Sequence, residues 1–306
     1  MAQPQHGRRK KGATKVQNRL ILFVLLVVLP LGIWWKTSAS TSEKASPVTT
    51  TTLASTTTTT TPTTSTTQVV GPGGTVPVVP PAADLPAGTP LAGVTVGIDP
   101  GHNGHNYLNP SFLAKQVFDG RNYKDCDTTG TATNDGYSEA AFAFEVTKYL
   151  VADLTALGAK TVLTRTTNDG VGPCVDTRSQ IINAGPSDIA IDIHADGGPA
   201  TGRGFAILEP VPAGPNNAMV APSLAFAQVL RRTFLATGMP TSTYDGVNGL
   251  VQRSDLAGLN LATQPKLLIE CGNMRNATDA ALLKDPSFQR SAARAMAVAM
   301  VEYLQK

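Results

Sequence analysis

Three short apolar runs in this chain each end on a residue suited to chemistry rather than to packing. Val94–Ile98 (VTVGI) runs into Asp99-Pro100-Gly101-His102, Asp188–Ile193 (DIAIDI) into His194, and the run closing at Ile269 into Glu270. Runs this short and this rich in Val and Ile read as buried strands, and Lys160–Leu163 and Gly204–Leu208 read as two more. Between them lie segments with apolar residues at helical spacing: 138–157, stopped by Gly158, then 175–184, 224–235 and the closing 287–304. Strands alternating with helices predict an α/β domain, a largely parallel, mixed and twisted sheet flanked by helices. In such sheets ligands collect at the carboxyl ends of the strands, where the following helices also begin. His102, His194, Glu270 and Glu139, which opens the 138–157 helix, are therefore expected on one rim. The stretch from Gly104 to Gly136 has no periodicity and reads as a long functional insertion.

Two imidazoles and one carboxylate with an open fourth position form the ligand set of a hydrolytic zinc site. A further, unligated carboxylate is what such a site uses as general base. Each residue also has a plainer reading. A histidine at a strand end is commonly structural, Glu139 in a first helical turn complements the helix dipole, and Glu270 has Arg253 and Arg275 as possible ion-pair partners. Convergence weighs against those readings, because only three histidines follow residue 92 and two of them sit at strand ends. His105 competes with His102 but lies further into the loop, where no strand fixes its direction. Asp99, Asp192 and Asp196 are candidates for orienting the imidazoles from a second layer. The residues by themselves support a metal site and leave the substrate open.

The charge distribution says where the domain works. The net charge of +3 conceals seven Lys or Arg and no acid in residues 1–36, and the other 18 basic and 22 acidic residues give −4. A mildly acidic body cannot release counterions from phosphates, so nucleic acid is not expected as a partner. Residues 1–19 read as a basic cytoplasmic tail and 20–35 (LILFVLLVVLPLGIWW) as an uncharged membrane anchor or signal segment, oriented by the positive charge before it. The run is short for a span and long for a cleaved signal core, and Thr37-Ser38-Ala39 is a weak cleavage site, so both forms stay open. Either one puts the following residues outside the membrane. Residues 36–91, dominated by Thr, Ser, Pro and Gly, are expected to be a disordered linker. Extended, such a linker reaches on the order of 150 Å, enough to carry a domain at 92–306 well away from the membrane.

Cysteine usage agrees with export. Cys126 and Cys174 lie in polar, loop-like surroundings and are expected to pair, closing a loop of about fifty residues worth about 4 kcal/mol in the chain-entropy model. Cys271 follows an apolar strand and is expected to be a buried free thiol. No C-x-x-C spacing occurs, which argues against a cysteine metal site.

Several segments then occur together in a fixed order: IDPGHNG, Glu139-Ala140 at a helix start, the Thr-Arg of LTRTTND, IDIHADG and LLIECGNMRN. In that order they resemble the AmiC-like zinc amidases (the Amidase_3 family) of actinobacterial type, over residues 93–305. The resemblance implies an N-acetylmuramoyl-L-alanine amidase that cleaves the bond between the lactyl group of N-acetylmuramic acid and L-alanine in peptidoglycan. It implies one zinc ion on His102, Glu139 and His194, with Glu270 catalytic, in a protein expected to be monomeric. The expanded Gly104–Gly136 segment and Asn103 after the first histidine depart from the family pattern on that rim. No large extra helical insert separates His194 from Glu270, which predicts a site open without a partner. The competing readings are another zinc-dependent wall peptidase or deacetylase, and a non-catalytic wall-binding regulator on the same fold.

Overall fold

The computed structural model describes residues 78–305, preceded by the backbone of a two-residue antiparallel pairing, Val70–Gly71 with Gly74–Thr75. The expected basic tail at 1–19, the apolar segment at 20–35 and most of the linker lie outside the described residues. None of the described helices is long and apolar enough to cross a membrane.

The elements are β1 (Thr95–Pro100), α1 (Pro110–Leu113), β2 (Gln116–Phe118), β3 (Tyr123–Asp125), α2 (Glu139–Ala156), β4 (Lys160–Leu163), α3 (Val175–Ala184) and β5 (Ile189–Asp196). There follow β6 (Ala206–Pro210), α4 (Val220–Leu235), β7 (Leu250–Arg253), α5 (Ala257–Asn260), β8 (Lys266–Asn273), α6 (Ala277–Lys284) and α7 (Pro286–Leu304). Six strands form one sheet in the order β4-β1-β5-β8-β6-β7. The first four are mutually parallel; β6 runs antiparallel to β8, and β7 parallel to β6. The sheet is thus the mixed, largely parallel one expected. Strand β7 and the short helices α1, α5 and α6 were not among the elements expected from the sequence.

Both faces of the sheet are covered, as parallel strands require, but the two coverings differ in kind. Val96 and Ile98, Ile189, Ile191 and Ile193, and Leu267, Ile269 and Cys271 point into a large apolar core under α2, α4 and α7. The alternate residues (Asp99, Asp192, His194, Lys266 and Glu270) belong by strand periodicity to the opposite face, where α3 and α5 lie. The packing there is tight: a Cβ on Gly258 of α5 would stand 2.4 Å from the Asp192 carboxylate, so only glycine lets the helix approach. The polar chemistry of the chain is therefore on one face, with a fully apolar layer behind it to hold the strands in register.

Local signals set the helix that carries Glu139. The Ser138 side chain accepts a hydrogen bond from Ala141 N–H at 3.2 Å, capping α2 and making Glu139 its first residue. At the other end Gly158 takes a φ of +88°, a turn that stops the helix cheaply only with glycine.

One expected boundary moves. Residues 78–91 are not a free tether: Leu91 is fully buried, its N–H donates to Leu157 O at 2.9 Å, and Val79 and Leu85 pack on the main core. Arg294 of α7 also donates to Ala83 O at 2.6 Å. Packing on the core thus reaches back at least to Val79, because a few apolar side chains among prolines suffice to dock a strap against α2 and α7, and linker-like composition hides them.

The insertion has structure too. β2 and β3 form an antiparallel hairpin whose turn is closed by Asp119, which accepts from Arg121 N–H and Asn122 N–H at 2.8 Å. At its base Cys126 and Cys174 are disulfide-bonded, joining the end of β3 to the residue before α3, while Cys271 is free and buried, both as expected. With the two cysteines 48 positions apart, replacing both by Ser should lower the unfolding free energy by about 2–4 kcal/mol. A urea titration monitored by circular dichroism reads this directly, and an unshifted midpoint would show that the bond does not stabilise the fold.

Candidate metal centre

β1 runs into Gly101-His102, and the chain turns there with unusual geometry. His102 has φ +56°, the left-handed region that a non-glycine residue occupies only when its surroundings force it. Two contacts do so: Gly101 N–H donates to Ile193 O at 3.0 Å, and Arg178 Nη2 donates to His102 O at 2.7 Å. Gly101 must also be glycine, since a Cβ there would lie 2.3 Å from the His194 ring. The turn brings the His102 imidazole over the strand ends to meet His194 on β5, the two ring centroids 5.0 Å apart and nearly perpendicular.

Glu139 lies between them. Its Oε1 is 2.7 Å from His194 Nδ1 and its Oε2 is 3.3 Å from His102 Nε2, while Oε2 also accepts from Thr131 N–H at 2.9 Å. One ligand atom from each of the three residues falls within 4.8 Å of the others. Glu270 on β8 is the register partner of His194 and completes the group, with its Oε2 buried and without a hydrogen-bond partner. All four residues expected on one rim are therefore together. His105, the competitor, is not among them; its ring is set against Tyr107 instead.

The electrostatics follow from the burial. Burial alone would raise the Glu139 carboxyl, but the imidazoles of His102 and His194 override it and hold Glu139 well below the usual carboxylate range. Burial would lower both histidines, yet Glu139 raises each of them, with Asp127 adding to the effect on His102. Glu270 has no such rescue. Burial pushes it up to about 8, with His194 pulling it down and Glu139 and Asp196 pushing it further up. Two imidazole nitrogens, a held carboxylate and an unpartnered buried oxygen make a site that favours added positive charge. That donor set fits a divalent metal ion taking nitrogen and oxygen ligands.

The second layer differs from the sequence expectation. Asp99 accepts from Thr164 and Arg178, Asp192 is 2.8 Å from the Lys266 ammonium, and Asp196 accepts from Tyr244 OH at 2.8 Å. None of the three hydrogen-bonds an imidazole. On a strand, residues two before and two after His194 share its face but stand too far along it to reach the ring. The carboxylate that does reach is Asp127, whose Oδ1 lies 3.0 Å from His102 Nδ1. A proton donated there leaves Nε2 free as the metal-facing base. Its only sequence signal was its place beside Cys126.

Two arginines fix this layer. Arg178 of α3 donates to Asp99, to Asp127 Oδ2 at 3.2 Å and to the carbonyls of Pro100, His102, Gly172 and Pro173. Arg165 donates to Pro100 O, Gly101 O and Ala140 O, at 2.9, 3.1 and 2.9 Å, tying the His102 turn to the start of α2. Neither Arg253 nor Arg275 pairs with Glu270: Arg253 is engaged with Asp255, and Arg275 donates to Ala132 O. The four residues open onto a cavity of about 340 Å³, whose further walls include Lys124, Arg253, Leu208 and Leu256.

Comparison with known proteins places this arrangement. The family model described as N-acetylmuramoyl-L-alanine amidase (Amidase_3) matches residues 96–302. N-acetylmuramoyl-L-alanine amidase Rv3717 of Mycobacterium tuberculosis is 43% identical over 230 residues, covering 74% of this chain and 92% of that protein. Among solved structures, the N-acetylmuramyl-L-alanine amidase Ami1 of Mycobacterium smegmatis is similar at 44% identity and a TM-score of 0.67. That match covers 70% of this chain and 98% of that one. AmiC2 of Nostoc punctiforme, at 23% identity and a TM-score of 0.52 over 70% of this chain and 98% of its own, shares the fold.

The second layer can be tested apart from any reaction. Replacing Arg178 with Met leaves Asp99 and Asp127 buried without their cation, and should cost about 3–5 kcal/mol of stability. Denaturant unfolding measures it; a loss under 1 kcal/mol would show that other groups already compensate these carboxylates.

Proposed function

The chain belongs to the Amidase_3 family of N-acetylmuramoyl-L-alanine amidases, and from that premise we propose a peptidoglycan amidase in which His102, Glu139 and His194 hold one zinc ion and Glu270 is the general base. The observation carrying the residue assignment is the convergence of two imidazole nitrogens on both oxygens of Glu139, with Glu270 unpartnered beside them. The bond cut joins the lactyl group of N-acetylmuramic acid to L-alanine of the stem peptide. When bound, zinc supplies Lewis acidity both to the amide carbonyl and to the attacking water.

The chain's own residues do the rest. Asp127 fixes the His102 ring so that Nε2 faces the centre, and Thr131 N–H holds Glu139 Oε2 in place. Glu270 takes the proton from the attacking water and returns it to the leaving amine. Its elevated proton affinity suits the second of those transfers, and the nearby imidazoles favour the ionised form needed for the first. The proposal takes the enzyme to act as a monomer.

Glu270→Ala should keep its zinc by elemental analysis and lose peptide release by about 10²–10⁴-fold, whereas His102→Ala should lose the metal itself. Release by Glu270→Ala at near the parent rate would remove Glu270 from the mechanism. Mass spectrometry of digested muropeptides identifies the bond: free sugar with an intact stem peptide marks an amidase, and a shortened stem marks a peptidase.

The proposal extends to location. Residues 20–35 act as a membrane anchor or signal and the Thr/Pro-rich linker as a tether, with the catalytic domain on the outer side of the membrane. Composition supports this: six of the seven basic residues in 1–36 precede the apolar run. Protease added to intact protoplasts should digest the domain of the membrane-held form, or find the domain in the medium if the segment is cleaved. Protection of the domain until the cells are lysed would reverse the orientation.

A further inference from the structure

The hairpin of the insertion has no part in the metal centre, and its surface is unusual for this molecule. Seven large apolar side chains are exposed among the described residues; four of them lie in the 104–136 insertion, Tyr107 and Leu108 before the hairpin and Phe118 and Tyr123 on it. Tyr123 is 73% exposed and Phe118 46%, so neither ring serves a core. They are direct cross-strand partners in the β2–β3 register, with ring centroids 5.7 Å apart and planes tilted by 54°, forming an open V. A cross-strand aromatic pair does stabilise a hairpin, but this hairpin is already fixed by other means. Asp119 closes its turn, the Cys126–Cys174 bond holds its base, and Lys124 Nζ donates to Asp255 O at 2.8 Å.

We propose that this hairpin is a contact surface for the glycan strand, with the Tyr123 ring, backed by Phe118, stacked on the apolar face of a sugar that flanks the muramoyl unit being cleaved. The inference rests on the amidase reading above. Continuity with the cavity is its first support: Lys124 and Asp125, the residues directly after Tyr123 on β3, line the same cavity as His102, Glu139, His194 and Glu270. A substrate whose scissile amide reaches that centre has its sugar chain and its peptide on opposite sides of the bond, and they must leave the centre by different paths.

Chemistry is the second support. A pyranose has one face of C–H groups and a rim of hydroxyls; aromatic faces match the first and planar polar side chains the second. Exposed apolar patches rimmed by polar residues mark ligand-binding surfaces, and Gln116, Asn122 and Asp125 supply such a rim on the hairpin itself. The hairpin's rigidity means that no loop must be ordered when the sugar binds, which favours a weak but repeated contact along a polymer.

The test compares two substrates using the full chain. Peptide release is followed from intact peptidoglycan and from a monomeric muramoyl dipeptide, for the parent, Tyr123→Ala and Phe118→Ala/Tyr123→Ala. The rate on polymer relative to monomer should fall about tenfold in the double variant, the loss expected from one aromatic stacking contact, and Tyr123→Trp should restore it. An unchanged ratio, or an equal fall on both substrates, overturns the proposal. Binding separates it from the catalytic reading: the Glu270→Ala chain should sediment with peptide-free glycan strands, and adding Tyr123→Ala should abolish this. If the parent protein binds glycan through Tyr123 yet releases no peptide, the amidase reading fails and the glycan surface stands. If it releases peptide and binding ignores Tyr123, the reverse holds.

Discussion

A single buried guanidinium organises the edge of the sheet where the chemistry lies. Arg178 comes from α3, yet its donors end on Asp99 of β1, on Asp127 of the insertion, on the Pro100 and His102 carbonyls of the His102 turn and on the Gly172 and Pro173 carbonyls before α3. Taking a charge out of water costs several kcal/mol unless it is surrounded by acceptors, and here nearly every donor has one. The consequence reaches His102. Its left-handed backbone is held through its carbonyl and its ring through Asp127, and both anchors lead back to the same arginine. Arg165 performs the matching task for the start of α2, so two guanidiniums fix the relative placement of His102 and Glu139, which no strand pairing connects.

The distribution of countercharge explains why a cation belongs at one point only. Asp99 and Asp127 share Arg178, and Asp192 faces the Lys266 ammonium. Glu139, by contrast, faces two imidazoles and Glu270 faces no cationic side chain at bonding distance. Along a face lined with buried carboxylates, the negative charge left uncompensated is concentrated on these two. Glu139 is what raises both histidines, while burial, reinforced by Glu139 and Asp196, raises Glu270. A metal ion on the His–Glu–His group would offset the uncompensated charge without a proton, and would leave the carboxylate of Glu270 free for transfer.

Much of this was legible in the sequence because strand periodicity and strand ends carry information that a reader can decode. The runs leading into His102, His194 and Glu270, and the cap that makes Glu139 a first helical residue, follow from local rules, and the structure unites all four side chains. What escaped was long-range. Asp127 sits in a segment without periodicity, 25 residues from the ring it orients, and nothing local distinguishes it from Asp125 two positions earlier. Asp192 and Asp196 were attractive because they flank His194, but the pleat that puts them on its face also spaces them beyond its reach. Arg178 reads as an ordinary surface residue of an amphipathic helix until the fold shows which side of α3 meets the sheet. The strap at 78–91 escaped for a simpler reason: proline-rich composition reports that a segment lacks regular structure, not that it lacks contacts.

The insertion between His102 and Glu139 thus has two ends with different physical tasks. Its far end carries the exposed Phe118–Tyr123 pair, and its near end delivers Asp127 and the Thr131 amide to the two metal-facing residues. The Cys126–Cys174 bond lies between them, adjacent in sequence to Asp127 and just before the helix that bears Arg178. Hairpin, disulfide, Asp127 and His102 therefore form one continuous mechanical unit. A displacement at the base of the hairpin cannot occur without pulling on Asp127, because the covalent bond anchors Cys126 to the same helix whose arginine holds that carboxylate. Between the end of β3 and the start of α2 no strand or helix stiffens the chain, and there the disulfide does what strand pairing does for His194 and Glu270: it lets an irregular segment hold the site's geometry fixed.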